Sequence, residues 1–372
     1  MKQSVRLGTI RGIAVRVHWS VVLLLAIFAW ELADYELPAR PGHPEAGDWA
    51  AGVVGASVLL LSLLAHELSH ALVARRHDVA VRSITLFVFG GVTRLEGEAH
   101  TPSADFRIAA AGPAASVALA GIFRGAEAMA ALAVHGLVVA TLSWLWEVNL
   151  LLAAFNVVPA APLDGGRILR AALWRHWQDR ARATLAAARF GRGFGFVLVV
   201  VGVLGLLYVG VTALWAALIG FFLYSAAAGE EQYARLQRAL GGLTVAQVMT
   251  PDPPTARGST TVADLLWHAH WPDRSDAVVV VDEHGTLRGV LTAQAVRRLR
   301  SQQLFATTVD QLAIPLVMVP VARPDDPADV LVERIVTHEG RPALVTDAGG
   351  LLVGVVSLED VERAARWAIR RR

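Results

Sequence analysis

Through the first 230 positions, apolar residues come in long runs rather than alternating with polar ones. Segments 18–33, 49–74, 106–123, 129–159, 194–209 and 211–228 each approach the roughly 20 residues that carry a helix across a bilayer. Six spans are predicted, the last two joined by a tight turn at Gly210. Basic residues collect between them. Lys2, Arg6, Arg11 and Arg16 precede the first, Arg75, Arg76, Arg82 and Arg94 follow the second, and Arg167, Arg170, Arg175, Arg180 and Arg182 follow the fourth. The first outer loop instead carries Asp34, Glu36, Glu45 and Asp48 against Arg40. The positive-inside rule then puts both termini in the cytoplasm of a multi-pass cell-membrane protein, and an even number of spans agrees. The first run reads as an uncleaved anchor, because Glu31-Leu32-Ala33-Asp34 is not a small-x-small cleavage site.

Two stretches depart from this pattern. In residues 81–97, Ile84, Leu86 and Val88 followed by Phe89-Gly90-Gly91 predict a short membrane-associated β-hairpin. At membrane depth such backbone survives only where protein or a water-filled cavity satisfies it. Residues 109–116, Ala-Ala-Ala-Gly-Pro-Ala-Ala-Ser, form a small-residue surface suited to close helix packing.

From about residue 241 the character changes to an internal repeat. Residues 280–296 superimpose on 345–361 with an offset of about 65, so that Asp282, Gly285, Gly289 and Thr292 fall on Asp347, Gly350, Gly354 and Ser357. Each copy reads as helix, buried strand, Asp/Gly turn, strand and helix, an α/β unit packed against its twin. The expected division is a membrane unit at 1–240 and a soluble unit at 241–372, with repeats at about 243–300 and 307–368.

Composition narrows the chemistry. Of 372 residues 55% are hydrophobic and 18% charged, which excludes a disordered chain and fits poorly with one soluble core. A net charge of +2 leaves no case for a nucleic-acid partner, and the lack of cysteine excludes disulfides and thiolate metal sites. The second span contains His66-Glu67-Leu68-Ser69-His70. Chance would produce such a pattern roughly 0.015 times in a chain of this composition. Positions i and i+4 share a helix face, so both imidazoles can hold one cation while Glu67 reaches an attacking water. The bland alternative, polar groups satisfied by neighbouring helices, is weakened by the cost of ionisable side chains inside a span. A third ligand is offered by Asp164, where Pro159, Pro162, Gly165 and Gly166 interrupt the apolar helix. The charge-derived topology brings it to the same membrane face as the histidines, and two histidines with one carboxylate and an open position form a catalytic zinc pattern. Glu147, also within a span, has no assigned role.

The repeat resembles the CBS domain, which occurs in tandem pairs and often binds adenosine nucleotides. Gly354-Val355-Val356-Ser357-Leu358-Glu359-Asp360 matches that family's ribose-binding pattern. By this resemblance Asp360 receives the ribose hydroxyls of ATP or AMP and Ser357 lies near phosphate. The first copy has Ala295 in place of the carboxylate, so one site is expected rather than two. Two other readings stay open: Ser-x-x-Asp is also a helix N-terminus signal, and the pair could serve only as a scaffold or homodimer contact.

His66-Glu67-x-x-His70 in a second span, with Asn156-x-x-Pro159-x-x-Pro162-Leu163-Asp164-Gly165-Gly166 after a fourth, resembles the site-2 protease family of intramembrane metalloproteases. It is most similar to the six-span branch with a cytoplasmic CBS pair, which includes the pro-sigma-processing type. The implied fold is a polytopic α-helical membrane protein, with six transmembrane helices and a short β-hairpin, joined to a soluble α/β tandem CBS domain. The implied activity is zinc-dependent cleavage of single-span membrane proteins of the anti-sigma or pro-sigma kind within the lipid bilayer. Residue by residue, His66, His70 and Asp164 become ligands of one Zn2+ and Glu67 the general base. Asn156 becomes the oxyanion or substrate donor with Asn149 a further substrate contact, and Gly90 and Gly91 line the strand that pairs with extended substrate. The rival reading is a CBS-regulated transporter or channel whose histidines line an ion path. A catalytically dead adenylate-sensing scaffold is a third.

Overall fold

A computed structural model describes residues 4–36, 45–88, 90–97, 99–133, 136–208, 210–268, 277–338 and 340–371. Arg40 of the first outer loop, Phe89 of the predicted hairpin and Val209 at the end of the predicted fifth span lie outside them. The chain divides into two compact units, Met1–Glu231 and Gln232–Arg372.

In the first unit, five helices among the described residues are long and apolar enough to cross a membrane. They are α2 (Ala46–Arg76), α3 (Pro102–Ala130), α4 (Leu137–Val157), α6 (Arg180–Gly205) and α7 (Leu214–Leu240, preceded by a 3-10 turn from Gly210). The expected first span is shorter: α1 (Val21–Glu31) runs into one π-helical turn, Leu32–Glu36. At about 1.5 Å per residue these 16 residues reach about 24 Å, less than the hydrocarbon thickness, so among the described residues the expected first span is not a helix of full length. Between α4 and α6 lies α5 (Asp164–Trp177), a short amphipathic helix that the apolar runs did not reveal.

Helix α2 starts at a capping box between Glu45 and Asp48 and ends on Arg75 and Arg76, whose charges suit the negative end of the helix dipole. Its buried positions include Gly52, Ala56, Leu59, Ser62, His66, His70 and Ala74, a stripe at three- and four-residue spacing. Thus the two histidines face protein. The predicted hairpin is present as β3 (Ala80–Phe87) and β4 (Gly90–Glu96), with Leu86 opposite Gly91 and Phe87 opposite Gly90. It belongs to a larger sheet, since β1 (Ser4–Ile10) and β2 (Ile13–His18) precede it in the order β1-β2-β3-β4, with β2 parallel to β3. Ile13, Ile84 and Leu86 pack this sheet onto Ala71 and Leu68 of α2, leaving β4 as an edge strand.

In the second unit the two repeats exchange strands. Thr255–Arg257, Ala277–Val281 and Leu287–Thr292 of the first copy form a sheet whose fourth strand is Ile314–Pro315 of the second. Reciprocally, Val321–Ala322, Ala343–Thr346 and Leu352–Val356 accept Thr250–Pro251 from the first. Val279, Val290, Leu344 and Val355 interleave between the copies as one dry cluster. The core of the second copy also takes in Tyr233, Leu236, Ala239 and Leu240 from the end of α7, which is why the unit begins inside that helix.

The exchange makes the two repeats one cooperative body. Val355→Asp, which puts a carboxylate into the shared cluster, should cost more than about 3 kcal/mol. Limited proteolysis of the full chain is then expected to open sites in both repeats at one protease level. Cutting confined to residues 307–368 would show that the copies are independent.

Candidate metal centre

Each candidate ligand reaches the centre from its own local logic. His66 and His70 project from the buried stripe of α2, one helical turn apart. Asp164 is the first residue of α5, where unpaired backbone N–H groups favour a carboxylate. His66 Nε2 and His70 Nε2 each lie 3.1 Å from Asp164 Oδ2 and 3.3 Å from one another. Among the described residues this is the one group of three or more metal-ligating side chains whose ligand atoms gather, all within 4.8 Å.

The far side of each ring is also engaged. His70 Nδ1 donates to the Ile108 carbonyl at 2.6 Å, which fixes its tautomer and leaves the Nε2 lone pair facing the centre. His66 Nδ1 lies 2.9 Å from Ser116 Oγ. Three electron-pair donors at 3.1–3.3 Å repel one another unless protons or a cation lie between them. Nitrogen and oxygen donors in this number suit zinc with a fourth position free. Gly112 of α3 completes the fit: a Cβ there would stand 2.2 Å from His70 Nε2 and 2.5 Å from His66 Nε2.

Glu67 is buried beside the histidines, and Thr93 of β4 donates to its Oε2 at 2.7 Å. Gly91 lies against the same side chain, because a Cβ at that position would meet Glu67 Cγ at 2.3 Å. Edge strand β4 therefore touches Glu67 at two alternate positions on one face. Thr93 was missed in the sequence; its signal was the register, two residues beyond Gly91. Gly90 opens the strand at a φ of +124°, which side chains rarely adopt.

The other predicted residues make bonds of their own. Asn156 donates through Nδ2 to Leu152 of its own helix at 3.0 Å. Asn149 is fully buried, donates to Leu145 at 2.8 Å and offers no surface to a substrate. Glu147 accepts from Ser143 at 3.4 Å. Arg167 and Arg170, counted above as loop charges, turn inward to Asp105, which is completely buried; Arg170 meets it with two hydrogen bonds of 2.8 and 2.9 Å. In the second unit, Ser357 and Asp360 cap the helix Leu358–Arg371: Ser357 N and Oγ donate to Asp360 Oδ2 at 2.8 and 2.7 Å. Asp360 Oδ1 receives Thr250 and Arg363, both at 3.0 Å. The helix-terminus reading of Ser-x-x-Asp is thus realised in the fold.

A His-x-x-x-His pair closed by a carboxylate, with a glutamate between and spanning helices around it, defines an intramembrane metallopeptidase. Comparison with known proteins agrees. The profile of peptidase family M50 matches residues 54–130 and 121–201, and that of the CBS domain residues 245–301. The chain is 42% identical over 98% of its length to the zinc metalloprotease Rip3 of Mycobacterium tuberculosis, covering 93% of it. The zinc metalloprotease sll0528 of Synechocystis is 31% identical, over 84% of this chain and 82% of that one. The solved site-2 protease of Methanocaldococcus jannaschii is 28% identical with a TM-score of 0.45, covering 61% of this chain and 95% of that one. The chain belongs to peptidase family M50, the site-2 proteases: it is a membrane zinc metalloprotease carrying a CBS domain.

A hydrogen bond to a charged acceptor contributes roughly 1.5 kcal/mol or more, about tenfold in rate. Thr93→Val is therefore expected to lower kcat about tenfold with KM and zinc content unchanged, and Thr93→Ser to restore it. Equal losses in both variants would show that Thr93 matters only for packing.

Proposed function

We propose that this protein is an intramembrane zinc endopeptidase that hydrolyses peptide bonds in or near transmembrane segments of membrane-bound regulatory proteins. His66, His70 and Asp164 hold one Zn2+ per chain. The observation that carries the reading is the convergence of their three ligand atoms around a point beside Glu67. When bound, zinc supplies Lewis acidity that polarises the scissile carbonyl and acidifies an attacking water. Glu67 accepts the proton of that water at a carboxylate oxygen and delivers it to the leaving amine. Thr93, bonded to Oε2, leaves Oε1 for this transfer. Asn156, in the last turn of α4, keeps a second amide N–H beyond the one given to Leu152, and it serves the developing oxyanion.

A transmembrane helix has its carbonyls committed to its own ladder and must unwind before attack. The open edge of β4 offers replacement partners, so the unwound segment docks as an added strand along Gly90 and Gly91 and passes over Glu67. Loop charges support an active site toward the cytoplasmic face, since Arg75 and Arg76 end the helix that bears both histidines. By the same rule both termini and the CBS pair are cytoplasmic. Substrates are single-span membrane regulators of the anti-sigma or pro-sigma kind.

For the CBS pair we infer regulation by one adenine nucleotide at Ser357 and Asp360. Its ribose hydroxyls would take over the acceptor now used by Thr250 and Arg363. Calorimetry with ATP and AMP on the full chain is expected to give one site per chain, weakened at least tenfold by Asp360→Asn. Binding unaltered by that variant would remove the assignment.

The hydrolytic reading is tested by Glu67→Gln. Cleavage of a reconstituted single-span substrate is expected to fall at least 10²-fold, the span of general base catalysis, while bound zinc stays at one per chain. Asp164→Asn should lower zinc content. Metal flux without a cleaved product would establish the transporter reading instead.

A further inference from the structure

We infer that α3 sets the geometry of the whole centre, with Ser116 and Asp105 as its positioning residues. The inference rests on the ligand assignment proposed above and deepens it. Asp105, Ile108, Gly112 and Ser116 follow one another at intervals of three, four and four residues, so they share one stripe of the helix. All four positions are buried, and each meets the centre differently.

Ser116 places its hydroxyl 2.9 Å from His66 Nδ1. Ile108 contributes its carbonyl to His70 Nδ1. Gly112 contributes the absence of a side chain, without which the two Nε2 atoms could not approach the helix. Asp105 reaches the third ligand indirectly. Its carboxylate is clamped by Nε and Nη2 of Arg170, six residues after Asp164 on α5, about 9 Å along that axis. Arg167 adds a contact at 3.6 Å. One helix therefore orients two ligand rings and anchors the helix that delivers the carboxylate.

The physical demand is specific. A neutral imidazole presents its lone pair at Nε2 only while Nδ1 carries the proton, and an acceptor beside Nδ1 holds that tautomer and the ring orientation. At His70 a carbonyl enforces this. At His66 the burden falls on Ser116, a residue that the sequence presents only as part of a small-residue packing surface. The bidentate Arg170–Asp105 pair fixes α5 in rotation as well as distance, which a single contact could not.

The test is equilibrium zinc affinity of the full chain in detergent, read by competition against a chelator, with thermal melting alongside. Ser116→Ala and Arg170→Lys are each expected to weaken zinc binding 10- to 100-fold, the usual range for partners of metal-ligating side chains. Ala109→Gly loosens the same buried helix without removing a polar contact and is expected to stay within about threefold of wild type. Wild-type affinity in Ser116→Ala and Arg170→Lys would overturn the inference. An equal loss in Ala109→Gly would do the same, by showing that any softening of α3 suffices. A wild-type chain that binds no zinc would overturn the ligand assignment itself, and this inference with it.

Discussion

Three lone pairs pointed at one small space are unfavourable in any protein and more so in a membrane, where water cannot relieve them. His66, His70 and Asp164 hold that arrangement with ligand atoms 3.1 to 3.3 Å apart. Much of the first unit acts to keep it. Buried residues of α2 set the histidines toward protein, α5 begins at the carboxylate, and α3 carries the acceptors behind the rings. The buried polar groups on α3 are themselves partnered, Asp105 by two arginines and Ser116 by His66, as a low-dielectric interior requires. A cation among the three ligand atoms resolves the repulsion at the centre.

The sequence disclosed the centre better than its supports. Spacing alone places His66 and His70 on one helix face, and the break at Pro159 and Pro162 marks where a carboxylate returns. The supports depend on which helix faces which, and linear pattern carries little of that. Ser116 ends a run of alanines that packing explains fully, and Asp105 precedes an apolar run without announcing its arginine partners. Thr93 becomes meaningful only once strand register puts it on the Gly91 face. The N-terminal strands do carry a local signal, since Val5-Arg6-Leu7 and Ile13-Ala14-Val15-Arg16-Val17 alternate as strands do; what linear pattern hides is their place in the sheet. The pairing of β2 with β3 is made across more than sixty residues of chain.

In the second unit the repeat itself was plain from the recurrence of Asp282, Gly285 and Gly289 at Asp347, Gly350 and Gly354. The exchange of Thr250–Pro251 for Ile314–Pro315 was not, because two-residue strands carry no periodicity to read. Ser357 and Asp360 are a case where one motif serves two ends. Asp360 Oδ2 caps the helix, while Oδ1, held by Thr250 and Arg363, is the oxygen for which the proposed ribose would compete.

The edge of β4 has a consequence for selectivity. Its leading residues are glycines, so a chain docked there in the proposed way would meet main-chain groups at those two positions. For a substrate docked along β4 in that way, discrimination would fall on a property of the target: how readily its own helix comes apart at the right depth. Residues that weaken a helix within lipid, rather than any consensus around the cut bond, would mark a chain for destruction.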